Sequence, residues 1–484
     1  MAMTDAAHAV HDSPHGASSA TCGQAISLPP RLLRQVRGHF YYVDHCPIDG
    51  KRIHLNGVGE PLALKAAVQM NAELASMPVP LEANAPGHHV QAMLTTHGWE
   101  DLAIWLGASL EASLGVPSRS SLADSRSQLW RAPSTAQCWV QVLALALGAA
   151  PRGSHVVTTA LASTEEATAI ALHARQQALS SATVPVNPLT GRLEVAEYAH
   201  CVTPETRVAT LVHTCPFTGM RQDVAAIARA IRKVAPACFI LVMGEHHAAH
   251  APLAVAHWEV DAYVVGAEAI FCRPRQGFAW LSRRLSLAMR GAMPSTMPST
   301  MPSNLIPPHS GEEPTALASM TEWVAYLDWL GRHFTGTPPR CSRVVAAGEA
   351  IQAHERALLN RLLHGFPEAP KTPEASASPT SLWRCGLHGH ARVRVIGAPH
   401  ALWRDGTVAF HVQGIEAWKV VQWLAATGIA AQLLASPQAV RALAPFGYTA
   451  ATRLSVSHYN SEAEIEICLQ TLDPLLERPA EGWG

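Results

Sequence analysis

Residues 245–250 read Glu-His-His-Ala-Ala-His. A carboxylate and three imidazoles so close together are the donor set of a first-row metal site. His246 and His250 stand four apart, which on a helix would bring both rings to one face. The chain has 26 histidines, so composition alone produces local clusters, and no metal site is assigned. A metal-dependent activity at 245–250 stays open as an alternative. What these residues can do depends on the elements that carry them.

Those elements read as an α/β sheet. Short apolar runs, SHVVTTA, ATVPVN, RVATLVHT, CFILVMG, DAYVVGA and GFAWLS, alternate with helical patterns such as EEATAIALHARQQAL and DVAAIARAIRKVA. Strands of four to six residues separated by helices of ten or more predict a mostly parallel sheet covered by helices on both faces. In such sheets ligands lie beyond the carboxyl ends of the strands. Residues 245–250 follow CFILVMG directly, at such an end.

Upstream, helical spacing predicts helices over Leu62–Met77 and Trp99–Leu114, and a long one from near Ser134 to Gly148. Ala132-Pro133-Ser134-Thr135 offers hydroxyls and backbone N–H groups at that helix start, suited to an anion or to an ordinary cap. Residues 1–30 lack periodicity and are expected to form a disordered leader. Residues 31–75 are expected to contribute to a smaller domain, and residues 76–335 to form the large one. A Met-Pro-Ser-Thr loop interrupts the latter at 292–308. Residues 336–484 read as a smaller α+β C-terminal domain. Glu355-Arg356 and the acidic run from Glu462 to Glu466 read as solvated helix faces. The tryptophans read as core or interface anchors.

Composition narrows the function classes. The 484 residues are 48% hydrophobic and 15% charged, with a formal net charge of -1, enough to bury a large core and giving no sign of a nucleic-acid partner. No apolar run approaches the ~20 residues of a membrane span. Ten scattered cysteines include no C-x-x-C pair, which speaks against a zinc knuckle or a disulfide framework. A cytoplasmic protein without a membrane partner is expected.

Three further stretches, TGRLEVAEYAHCVTPETRVATLVHTCPFTG, QAHERALLNRLLHGF and TRLSVSHYNSEAEIEICLQTLDPLL, together with the order of the strands, resemble the class V branch of fold-type I pyridoxal-phosphate (PLP) enzymes. Within it they are similar to the cysteine-desulfurase-like and selenocysteine-lyase-like proteins. The resemblance spans roughly residues 40 to 478. It implies a seven-stranded, mostly parallel sheet between helices, a smaller C-terminal domain, and a dimer. PLP chemistry needs a lysine to hold the aldehyde and a carboxylate to keep the pyridine nitrogen protonated.

On the family's pattern the carboxylate position is Met243 and the lysine position is Ala269, preceded by Gly266 where a phosphate-binding serine is expected. The ring-stacking histidine position is Ser163, and an asparagine position is Pro216. The five lysines, Lys51, Lys65, Lys233, Lys371 and Lys419, all stand far from 269 in sequence. The resemblance retains Ser134 and Thr135 at the phosphate loop, His246 at the ring-facing position, and Arg453 where the family pairs a substrate carboxylate. With lysine, aspartate, histidine and asparagine all absent, it implies a pseudoenzyme without catalytic residues or a bound cofactor. Such a chain would act by dimerisation or ligand binding, as a homodimer or with an active relative. A PLP- or PMP-binding transferase or lyase with an atypical site is the other alternative.

Overall fold

The computed structural model describes residues 27–77, 97–107, 129–292, 314–366 and 385–477. The leader and the Met-Pro-Ser-Thr loop expected from the sequence lie outside them, apart from residues 27–30 and 292.

Seven strands form the large sheet: β1 (Leu129–Ala132), β2 (His155–Thr159), β3 (Ser180–Val184), β4 (Thr206–Val212), β5 (Phe239–Met243), β6 (Ala262–Gly266) and β7 (Gly277–Leu281). Their order is β1-β7-β6-β5-β4-β2-β3. Strands β2 to β6 pair in parallel, and β7 runs antiparallel between β6 and β1. The fold class expected from the sequence is the one found.

Why the sheet is stable is written in its alternation. Ala209, Leu211, Ile240, Val242, Tyr263, Val265, Phe278 and Trp280 face one core. Val208, Leu241, Ala262, Val264, Ala279 and Leu281 face the other. Adjacent residues point to opposite faces, so a strand covered on both sides must be apolar throughout. That is why these strands read as continuous apolar runs.

The helices begin where short polar side chains cap them. Ser134 Oγ accepts from Gln137 N at 3.2 Å to start Thr135–Gly148. Ser163 Oγ accepts from Glu166 N at 3.1 Å to start Thr164–Gln177. Asp223 Oδ1 accepts from Ala226 N at 2.9 Å to start Val224–Val234. Each cap satisfies an N–H that the helix itself cannot.

The 25-residue helix Arg340–His364 runs from the large domain to the small one. The small domain holds a four-stranded antiparallel sheet of Val393–Val395, Thr407–Val412, Ala451–Ser455 and Gln432–Leu434, in that order. The segment 31–75 divides between the two cores. Ile53–His54 pairs with Ile429–Ala430 and Leu55 lies in the small core, whereas Leu32, Val36, Phe40 and Leu64 lie in the large one.

Candidate functional site

A cavity of ≈ 300 Å³ opens beyond the carboxyl ends of β2, β4 and β5. Four of the positions singled out from the sequence, Ser163, Pro216, Met243 and His246, line it together. Helix Pro437–Leu443 of the small domain closes it with Arg441. Strand ends and a second domain are what a fold of this kind uses to build a ligand site.

What each contributes is limited. Ser163 is occupied as a helix cap. Pro216 offers only its carbonyl, which accepts from Arg453 Nη1 at 2.6 Å. Met243 ends β5 with a thioether. The imidazole of His246 is pushed down to about 3 by burial, with the Arg453 guanidinium and His250 adding to it, so the ring is neutral at physiological pH.

Ser134, Thr135, Ala269 and Arg453 are not part of the cavity lining. Ala269 sits half-buried in the short turn Glu268–Ile270 after β6. Arg453 is buried and spends its guanidinium on the Pro216 carbonyl and on Gln432 Oε1. Of the lysines, Lys51, Lys65, Lys233 and Lys419 fall within the described residues, and none lines the cavity. Lys65 instead donates to the Gly38 carbonyl at 2.8 Å.

The helix start at Thr135 has acquired an acid. Thr135 Oγ1 donates to Glu245 Oε1 at 3.0 Å. Burial raises the Glu245 carboxyl above its ordinary value; the Thr135 hydrogen bond works against this and nearby Glu268 adds to it. Gly266 makes the arrangement possible, because a Cβ there would collide with Thr135 Oγ1 and Glu245 Oε1. A side chain at 266 would therefore require Thr135 or Glu245 to shift.

A second carboxyl, with no signal in the residue pattern, lies at the cavity wall. Glu166 is buried and accepts from Trp139 Nε1 at 3.0 Å, Thr158 Oγ1 at 2.8 Å and Thr210 Oγ1 at 2.5 Å. Burial raises its pKa and the three donors pull it back. A glutamate in a first helical turn reads as a solvated partner of the helix dipole. Only the sheet underneath buries this one.

The three histidines of 245–250 do not converge. The segment is a series of turns rather than a helix, so the four-residue spacing does not put His246 and His250 on one face. His246 faces the cavity. His247 Nδ1 meets Asp405 Oδ2 at 2.6 Å, and His250 Nδ1 meets Glu355 Oε2 at 2.6 Å. Among the described residues no group of three or more histidines, cysteines or acids could hold a metal ion.

Behind the cavity these partners form a buried polar seam between the domains. Asp405 also accepts from Thr214 Oγ1 at 2.6 Å, and Arg221 Nη1 stands 3.7 Å from its other oxygen. Burial works against ionising Asp405, yet His247 and Arg221 hold it well below the usual carboxylate range. Burial likewise opposes a charged His250, and the Glu355 carboxylate more than offsets it, leaving the imidazole raised. His213 stacks on His247 with ring centroids 3.6 Å apart and meets Tyr263 Oη through Nδ1 at 2.9 Å. Glu355, expected on a solvated face, is 2% exposed. Glu464 likewise turns inward and pairs with Arg37 at 3.0 Å. The helix surface they occupy is covered by another domain element, which a single-helix pattern cannot register.

Comparison with known proteins agrees with this architecture. The class-V aminotransferase family model matches residues 134–297, the stretch from helix Thr135–Gly148 through β7. No curated protein matches the chain. Among solved structures, the apo cysteine desulfurase of Thermococcus onnurineus NA1 is similar at a TM-score of 0.69 and 13% identity, over 92% of this chain and 98% of that one. The cysteine desulfurase CsdA of Escherichia coli is similar at 0.65 and 16% identity, over 92% and 98%. A NifS-like protein is similar at 0.63 and 14% identity, over 88% and 99%. At such identities the structures establish a shared fold. Among the described residues no helix is long and apolar enough to cross a membrane.

Proposed function

We propose that this chain, with its class-V aminotransferase match and its cysteine-desulfurase fold, is a non-catalytic member of that scaffold, and that its cleft binds a ligand or serves assembly. The observation that carries the reading is Glu245 on Thr135. A phosphate at that helix start would need the Thr135 hydroxyl, which is already donated to the Glu245 carboxyl at 3.0 Å, so the anion site is occupied from within the chain.

The residues present do not fit PLP for two further reasons. Alanine at 269 can form no imine and move no proton, and methionine at 243 can hold no proton on a pyridine nitrogen. No described lysine lines the cavity, and Lys65, whose neighbour Leu64 bonds the Phe271 carbonyl, spends its ammonium on the Gly38 carbonyl. The neutral His246 and the apolar walls suit retention of an uncharged group rather than general acid–base work.

On this reading the chain acts as a dimer, with itself or with an active relative, and the cytoplasm is its setting. Nine free cysteines among the described residues accord with a reducing compartment.

The test is an absorbance spectrum from about 300 to 500 nm with added PLP, followed by dialysis and borohydride reduction. We expect no band to survive dialysis and no reduced adduct. A surviving band with label on Lys51, Lys65, Lys233, Lys371 or Lys419 would refute the reading. Sedimentation of the purified chain, and capture from an extract followed by identification of any class-V partner, test the dimer.

A further inference from the structure

A second cavity, of ≈ 270 Å³, lies at the seam between the domains. The large domain lines it with Arg192, Arg221, His213, His247 and Trp258, helix Arg340–His364 with Gln352, and the small domain with Trp403. No element of the cleft described above needs it.

Its lining is rich in unused donors. Arg192 lies over the Trp403 ring, 4.1 Å from the centroid, and its Nε donates to the Arg221 carbonyl at 3.0 Å. Among the described residues nothing hydrogen-bonds its two terminal nitrogens. Arg221 Nη2 donates to the Leu402 carbonyl at 2.8 Å, while its Nη1 reaches only the distant oxygen of Asp405. The Trp258 and Trp403 indole N–H groups and the Gln352 amide also make no hydrogen bond among the described residues.

The two stacked imidazoles supply the observation that points to an occupant. His213 and His247 are 5% and 4% exposed. Their Nδ1 atoms are taken by Tyr263 and Asp405, and both Nε2 atoms lack a protein partner among the described residues. A polar atom on so buried a ring, lining a cavity, wants a ligand or water there.

The charge balance selects the class. Asp405, which Arg221 reaches at 3.7 Å, answers one of the two guanidinium groups, and the carboxylate on the wall itself, Asp223, is partly engaged as a helix cap through Oδ1. Arg192, whose terminal nitrogens have no partner among the described residues, offers a forked donor to one carboxylate, a dianion would press against Asp223, and the volume lies just below the usual range of small-molecule pockets, about 300–1,000 Å³.

We propose that this seam cavity binds a small organic monocarboxylate, its carboxylate on Arg192 and Arg221 and its apolar or aromatic body against Trp258 and Trp403. The proposal is independent of whether the cleft binds PLP.

Benzoate is the probe, titrated by calorimetry and by tryptophan fluorescence against the intact chain. Saturable binding is expected, quenching tryptophan emission, with affinity lowered roughly tenfold in Arg192→Gln by loss of a charged donor pair. Arg229→Gln, which removes the same charge from an exposed position on helix Val224–Val234, should leave affinity unchanged. Gln352→Leu provides a second handle should Arg192→Gln unfold, and should weaken benzoate severalfold. No binding up to about 10 mM benzoate would overturn the proposal. So would binding that survives Arg192→Gln and Gln352→Leu but is lost in Arg441→Gln, because it would place benzoate in the cleft. Inorganic phosphate binding as tightly as benzoate would overturn the choice of a monocarboxylate.

Discussion

Residues 243–250 face two regions, and those regions have been treated differently. On the cleft side stand Met243, Glu245 and His246, with a thioether, an acid hydrogen-bonded to Thr135 and a neutral imidazole. On the seam side stand His247 and His250, each paired at 2.6 Å with a buried carboxylate from a distant part of the chain. The first region offers a thioether and a neutral ring to its cavity, while the second ties its imidazoles to buried carboxylates. The fold needs the seam, because a buried charge without its partner is costly. It does not need the cleft chemistry, whose groups face open space.

The largest effect is expected at Asp405. Asp405→Asn removes the charge that Thr214, His247 and Arg221 address together. Stability should fall by about 3–5 kcal/mol, the cost of breaking a buried pair, as read by urea unfolding. A loss no larger than that of a surface substitution would mean the seam is not what secures the two domains.

The His250–Glu355 pair sharpens the same point through pH. His250 is raised, so its stabilisation is complete below the ordinary histidine value of about 6.5 and is lost as pH rises through the raised value. Glu355, although burial opposes this, is held low by His250, so its contribution is present above the ordinary glutamate value of about 4.3 and is lost as pH falls through the lowered one. The melting temperature should therefore be highest between these limits. His250→Gln should flatten the alkaline decline relative to the parent, and an unchanged profile would show that the pair is not ionised.

At the helix start beside the cleft and in the cleft itself the effects should be smaller. Ser134→Ala removes the cap on Gln137 N and should cost about 1 kcal/mol. His246→Gln, which breaks no hydrogen bond among the described residues, should shift stability by no more than about 0.5 kcal/mol. A thermal melt of both variants checks this, and a loss in His246→Gln as large as that in Asp405→Asn would reverse the contrast between cleft and seam.

How far the sequence was legible follows the range of the interactions. Six of the sheet's strands announced themselves as apolar runs, but β1 did not. Leu129–Ala132 is four residues long and contains Arg131, too short and too polar to stand out beside the cap at Ser134. The cap itself was visible because Ser134 and Gln137 are three apart. Asp405 and Glu355 were not, since they lie 158 and 105 residues from the histidines they hold. For Glu166 no sequence signal was available, because its burial depends on the strands that pass beneath it.

By itself the sequence determined the α/β architecture, through periodicities of two and of three to four residues that local backbone geometry enforces. It also determined that no lysine stands at 269 and no aspartate at 243, since residue identity needs no fold. Only the tertiary structure decided which way each histidine of 246–250 turns, that Glu245 reaches Thr135 past Gly266, and that two arginines and two tryptophans meet at the seam. Those outcomes depend on surfaces brought together from distant parts of the chain, and such contacts exist only once the domains have packed.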